Sequence, residues 1–427
     1  MADIVTRLTG DARLASRLKG IYSVCSAHPW VIEASLMQAR DDGTPLLIES
    51  TSNQVDQYGG YTGMTPAVFV RFVRGIAEKA GFPAQSLILG GDHLGPNAWR
   101  DLPADEAMQR ADALIDAYAA AGFRKLHLDT SMPCAGDPPR LSDEVVAERA
   151  ARLCAVAEKA AGRAGLREKP VYIVGTEVPV PGGASEALAG VEVTKPRAAR
   201  ETVAVHRAAW HAHGLDAAWE RVVGLVVQPG VEFDHTKVVD YDASSAGELS
   251  KVLDGLPGIV FEAHSTDYQK PEALAALVRD GFAILKVGPG ATFALREALY
   301  ALADIEDALI APDARSGLRA VVERVMLEKP DKWEKYYHGS EDEKRLLRIF
   351  SYSDRIRYYW ADAEVGDATR KLVANLERVV ISENLISRYL PYQYWQLRRG
   401  SIDGSPMSLI FSKVREVIGM YAAACGR

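Results

Sequence analysis

Cysteine is scarce in this chain: Cys25, Cys134, Cys154 and Cys425 are the four in 427 residues, and no two stand in a Cys-x-x-Cys spacing. That excludes a disulfide framework and a clustered-thiolate zinc site, and reduced thiols fit a cytoplasmic protein. Long apolar runs are missing too. No stretch reaches the roughly 18 apolar residues of a membrane span, and the opening Met1-Ala2-Asp3-Ile4-Val5-Thr6-Arg7-Leu8 lacks the apolar centre of a signal peptide. Neither secretion nor membrane insertion is expected. Positive charge is not in excess: 50 Lys and Arg face 57 Asp and Glu, a net charge of -7. This balance argues against nucleic acid or an anionic membrane as partner. There is no internal repeat, no low-complexity tract, no GxxxxGK[ST] and no kinase signature set, so phosphoryl transfer from ATP has no support in the motifs. What remains is an ordinary globular composition, 48% apolar and 25% charged.

Short β-rich runs alternate with Ala-rich helical patterns, the sign of βα units around a parallel sheet. Strands are expected near 21–25, 45–49, 86–90, 125–129, 171–177, 222–228, 258–263 and 282–287, with helices near 30–40, 66–80, 104–121, 143–161, 196–212, 246–254, 271–280 and 292–302. Eight such units make an α/β protein of the (β/α)8 TIM-barrel class over residues 1–304, with an open doubly wound sheet as the alternative. From residue 305 strand signals vanish. Helical patterns at 319–326, 341–353, 367–380 and 405–424, with aromatic clusters at 333–337, 358–360 and 389–395, predict a helical C-terminal region, 305–427, packed on the barrel or on a partner subunit.

Barrels keep their chemistry at the strand C-termini, and polar residues gather there. The stretch Gly90-Gly91-Asp92-His93-Leu94-Gly95-Pro96-Asn97 delivers an acid and an imidazole where a buried strand opens into a loop. After the second strand, the run from Glu49 to Gln57 is dense in amides and hydroxyls, which suits a polyol; an ordinary hydrogen-bonded loop is the alternative. Glu49, Asn53 and Gln54 stand out in it. Alternation puts His127 and Asp129 on one face of the fourth strand, with Asp129 at the mouth and His127 beneath as a satisfied core histidine. Later strands end in Glu177, Gln228 and His264-Ser265-Thr266-Asp267. Carboxylate plus imidazole is the ligand set for a zinc-like divalent ion with open positions, so His93, Glu177 and His264 are candidate ligands and Gln228 a possible fourth. The alternative pairs Glu177 with Lys286 or an arginine and leaves His264 capping a loop. Asp92 is then the candidate acid/base. Lys286-Val287-Gly288 precedes a helix, so Ser265, Gly288 and the Thr292 cap, with charge from Lys286, are phosphate candidates.

The runs Cys25-Ser26-Ala27-His28-Pro29, 49–66, 90–97 and 146–150 together resemble the GatZ/KbaZ family, the Z-type subunits associated with D-tagatose-1,6-bisphosphate aldolase. The resemblance covers most of the chain, helical tail included. Members have also carried the name tagatose-6-phosphate kinase, which the motifs do not support. The chain is more distantly similar to class II aldolases, with Gly175-Thr176-Glu177 where those have a histidine and Ala263-His264-Ser265 like their later histidine motif. The resemblance implies a Zn2+-dependent enzyme of tagatose and galactitol catabolism working by retro-aldol chemistry, as a tagatose 6-phosphate 4-epimerase or a bisphosphate aldolase component. The residues at the strand ends then divide into catalytic candidates, Asp92, Asp129 and Glu49, and substrate contacts, Asn53, Gln54, Asn97, Ser265, Asp267, Lys286 and Gly288. The resemblance also leaves open a hexuronate epimerase and a non-catalytic subunit stabilising a Y-type aldolase. A homo-oligomer is expected.

Overall fold

A computed structural model describes residues 4–10, 18–176 and 191–426. Eight parallel strands close into a barrel: β1 (Ile21–Cys25), β2 (Leu46–Thr51), β3 (Leu87–Leu94), β4 (Lys125–Leu128), β5 (Val171–Val174), β6 (Val222–Val226), β9 (Val260–Ala263) and β10 (Ile284–Val287). Neighbours in sequence pair around the ring, and β10 closes it against β1 through the register Ser23 to Lys286. A two-stranded antiparallel hairpin, β7 (Glu232–Phe233) and β8 (Val238–Val239), sits in the loop after β6. The fold is therefore the (β/α)8 barrel. An open sheet is ruled out by the β1–β10 ladder.

Strand alternation sorts the side chains into three zones. Leu46, Ile48, Leu126, Leu128, Tyr172, Leu225 and Phe261 face the helices and join the large core outside the barrel. The opposite parity points inward, and at the N-terminal end it is apolar: Ile21, Leu47, Ile88, Val171, Ile173, Val223, Val260 and Ile284 form one cluster, closed by Val5 and Leu8 of the helix Ile4–Thr9. Above that floor the inward positions turn charged, with Glu49, Lys125, Glu262 and Lys286 all buried. The site lies on top of this layer.

After β10 the chain is helical. The helix Pro289–Leu309 runs unbroken through residue 304, so the boundary expected there falls inside an element. Helices Leu318–Glu328, Glu341–Phe350, Ala363–Glu377, Glu383–Tyr389, Pro391–Arg398 and Pro406–Ala424 follow. The last returns to the barrel, where the Tyr421 hydroxyl donates to the Thr266 carbonyl at 2.7 Å. Among the described residues no helix is long and apolar enough to cross a membrane, and all four cysteines are free.

Candidate active site

The site begins with an irregularity in β3. Its register against β4 shifts between Gly91 and Leu94, and His93 adopts a left-handed backbone with φ 49°. A regular strand sends adjacent side chains to opposite faces. The bulge instead lets Asp92 and His93 line one cavity. Two glycines clear the space: a Cβ on Gly90 would overlap the Glu49 carboxylate, and one on Gly95 the Asp129 carbonyl oxygen.

Three imidazoles meet here. Ring centroids are 4.9 Å apart for His93 and His264, 5.2 Å for His127 and His264, and 5.3 Å for His93 and His127. Each ring has one nitrogen tied to its own buried carboxylate: His93 Nδ1 to Asp129 Oδ2 at 2.8 Å, His127 Nδ1 to Asp92 Oδ1 at 2.9 Å, and His264 Nε2 to Glu262 Oε1 at 3.0 Å. A carboxylate that takes one ring proton fixes the tautomer and leaves the other nitrogen a lone pair, which is how metal-binding histidines are oriented. His127 Nε2 is buried with no hydrogen-bond partner.

Beneath the rings, Lys125 Nζ bridges Glu49 and Glu262 at 2.7 Å each. Lys286 Nζ pairs with Glu49, with Asp92 at 3.0 Å and with Glu262 at 3.7 Å. Three carboxylates against two ammoniums leave one net negative charge under the imidazoles. Burial pushes the Asp92 carboxyl up, but Lys286 and the imidazoles outweigh it and hold it well below the usual carboxylate range. Asp92 is thus in its base form at neutral pH. Burial brings the His264 pKa down to about 4 and keeps that ring neutral. For His93 burial is outweighed by Asp92 and Asp129, and its pKa is raised; a field that favours an imidazolium also favours a metal cation. The imidazole nitrogens, the unpartnered His127 Nε2 among them, fit a zinc-like divalent ion, with the Asp92 carboxylate left beside them as a base.

The structure brings several expected residues together. Asn53, Gln54, Asp92, His93, His264, Ser265, Asp267, Lys286 and Gly288 line one cavity. Others it places differently. Glu49 is fully buried under the cavity and bonded to Lys125, Lys286 and Ser23, so it holds the lysines and meets no substrate. Asp129 spends Oδ2 on His93 and Oδ1 on the Ser131 hydroxyl at 2.7 Å, and orients the ring instead of moving a substrate proton. Lys286 is held by three carboxylates and is not free for a phosphate. The Gly288 amide donates to Asp267 Oδ1 at 2.9 Å, so the loop amide expected to bind phosphate is taken. Gln228 Oε1 accepts the Gly230 and Val231 amides at 2.9 and 3.0 Å, closing its own turn. Asn97 lies in the short helix Pro96–Trp99, away from the cavity lining. Glu177 lies outside the described residues. His127 was expected to be fully satisfied and is not. Tyr61, Phe233, Arg357 and Tyr358, which also line the cavity, carried no sequence signal for it. Lys125 and Glu262 did: each is a charge at an inward position of an otherwise apolar strand.

Fold and centre together define a (β/α)8 barrel with a histidine–carboxylate site at its strand C-termini. The chain belongs to the GatZ/KbaZ-like family, whose model, described as D-tagatose-1,6-bisphosphate aldolase subunit GatZ/KbaZ-like, matches residues 8–426. Among solved structures, a probable tagatose 6 phosphate kinase from Sinorhizobium meliloti 1021 is 55% identical at a TM-score of 0.88, over 95% of this chain and 100% of that one. A glycerol-complexed fructuronate-tagaturonate epimerase UxaE from Cohnella laeviribosi is 14% identical at a TM-score of 0.49, over 96% of this chain and 82% of that one.

Proposed function

We propose that this chain is a metal-dependent enzyme acting on a phosphorylated ketohexose of the tagatose and fructose series by reversible C3–C4 cleavage, as a tagatose 6-phosphate 4-epimerase or the cleaving component of a tagatose-1,6-bisphosphate aldolase. The observation that carries this reading is the trio of carboxylate-anchored imidazoles beside an ionised Asp92. His93, His127 and His264 would hold the ion, and Glu177, three positions beyond β5 in the sequence, is the candidate further ligand. When bound, a divalent cation supplies Lewis acidity to the C2 carbonyl oxygen.

The chain's own residues account for the remaining steps. Lys286 and His127 fix Asp92 Oδ1. Asp92 Oδ2, whose neighbours Cys25 Sγ and His93 Nε2 are both 3.7 Å away, takes the proton of the C4 hydroxyl. C4 becomes a carbonyl as the C3–C4 electron pair passes to the C3–C2 side. Return of that pair to the other face of the C4 carbonyl, with the proton given back by Asp92 to the C4 oxygen, yields the C4 epimer; departure of the carbonyl fragment, with the proton given to C3 of the fragment that keeps the pair, yields cleavage. Neither outcome consumes ATP. Asp92→Asn is expected to lower kcat by about 10²–10⁴-fold while the protein keeps its zinc. Full activity in that variant would sink the assignment.

The family description names a subunit, which favours a second reading: a non-catalytic chain that stabilises a Y-type aldolase. A His264→Ala variant that still stabilises such a partner but loses turnover supports catalysis; one that loses partner stabilisation with turnover never present supports the subunit.

A further inference from the structure

The loop after β10 and the helix it opens are where barrels of this layout take an anion, yet here the donors are spent within the chain. Asp267 Oδ1 accepts the Gly288 and Gly290 amides at 2.9 and 2.7 Å, Thr292 Oγ1 donates to Asp354 Oδ2 at 2.6 Å, and Lys286 lies among three carboxylates. A substrate phosphate needs other donors.

They stand in a second cavity of about 370 Å³ that shares Cys25, Gln54, Tyr61 and Arg357 with the first. The Trp360 ring forms part of its wall, with the indole Nε1 sealed behind it. The His28 ring sits edge-on to Trp360 at 6.3 Å. His28 Nδ1 accepts the Trp30 amide at 3.2 Å, so the neutral ring carries its proton on Nε2. Burial keeps it neutral, its pKa brought down to about 3. Arg357 bonds to the Ser353 and Asp354 carbonyls and the Tyr358 hydroxyl, and forms no ion pair among the described residues.

We propose that Arg357 of the C-terminal region, with His28 from the loop after β1, binds the phosphate group of the substrate in this side cavity. A phosphate only accepts hydrogen bonds and carries nearly two negative charges; both groups donate, and Arg357 is a permanent cation. Arg357 stands at the junction of the two cavities, so a ketose anchored there by its phosphate extends towards the imidazoles. The C-terminal region then completes the substrate site as well as packing on the barrel. The inference rests on the sugar-phosphate reading above.

Calorimetric titration of the full chain with D-tagatose 6-phosphate and with D-tagatose tests it. The wild type is expected to bind the phosphorylated sugar at least tenfold tighter. Arg357→Gln is expected to bring that ratio near one, and His28→Ser, which keeps a helix-capping acceptor, to lower it several-fold, both with unchanged zinc content. A preference retained in Arg357→Gln overturns the assignment alone, and His28→Ser decides in the same way should Arg357→Gln not fold. A wild type that binds both sugars equally overturns the sugar-phosphate reading itself.

Discussion

Glu232 shows how a single buried acid writes itself into the stability of the whole chain. It lies on β7, 8% exposed, and burial pushes its pKa up to about 7. The folded state therefore holds a proton that the unfolded chain gives up near the ordinary glutamate pKa. Between those two values the native form binds more protons, so this group's contribution to stability falls as pH rises towards 7 and is flat above it. Glu232→Gln is expected to leave stability little changed at pH 5 and raise it by about 2–3 kcal/mol at pH 8, read from urea unfolding at both pH values. An equal effect at both would contradict the shift. Residues of this kind were not legible in the sequence, because nothing local to Glu232 reports its burial. Asp92, His93 and His264 were legible, since a strand end in an α/β barrel locates them without any long-range contact. Their carboxylate partners were only half so: Asp129 was read as a proton carrier, and that it is spent on His93 and Ser131 depends on packing between β3 and β4.

Among elements, β3 has the largest influence on the site. The expected strand stopped at Gly90, whereas β3 continues to Leu94 through the bulge; two glycines read as a strand end are the clearance that an irregular strand needs. Gly95 approaches the Asp129 backbone so closely that a Cβ has no room. Gly95→Ala is therefore expected to displace Asp129 from His93 and weaken zinc binding by about 10–100-fold, measured by competition with a chelator. Unchanged affinity would show that the Asp129–His93 contact does not orient the ring. The eight barrel strands and their helices were legible because periods of 2 and 3.6 are local properties. The helices Glu383–Tyr389 and Pro391–Arg398 were read only as an aromatic cluster: they are short, and Pro391 opens the second. Two-residue strands such as β7 and β8 exist only by pairing with each other and leave no period to read.

For the molecule as a whole, the unusual feature is a charged layer sealed inside a barrel. Lys125 has no exposure and bridges Glu49 and Glu262. Removing one partner of such a network leaves uncompensated charge in a low dielectric, so Lys125→Met is expected to cost about 3–5 kcal/mol in denaturant unfolding. A loss below 1 kcal/mol would mean that water reaches the layer. The same layer gives the site its negative bias and its ionised Asp92, so fold and chemistry are coupled there. The joining of the C-terminal region to the site, with Arg357 lining it and Trp360 packed on His28, was beyond the sequence, since it depends on contacts between residues over 300 positions apart. The central claim is metal-dependent sugar-phosphate chemistry at the imidazole trio. It is tested most directly by incubating the pure chain with D-tagatose 6-phosphate, without ATP, with Zn2+ or with EDTA, and following fructose 6-phosphate and triose products. Conversion that Zn2+ restores and EDTA removes is the predicted result; no turnover of the 6-phosphate or the 1,6-bisphosphate under either condition would contradict the account and leave the non-catalytic subunit as the better reading.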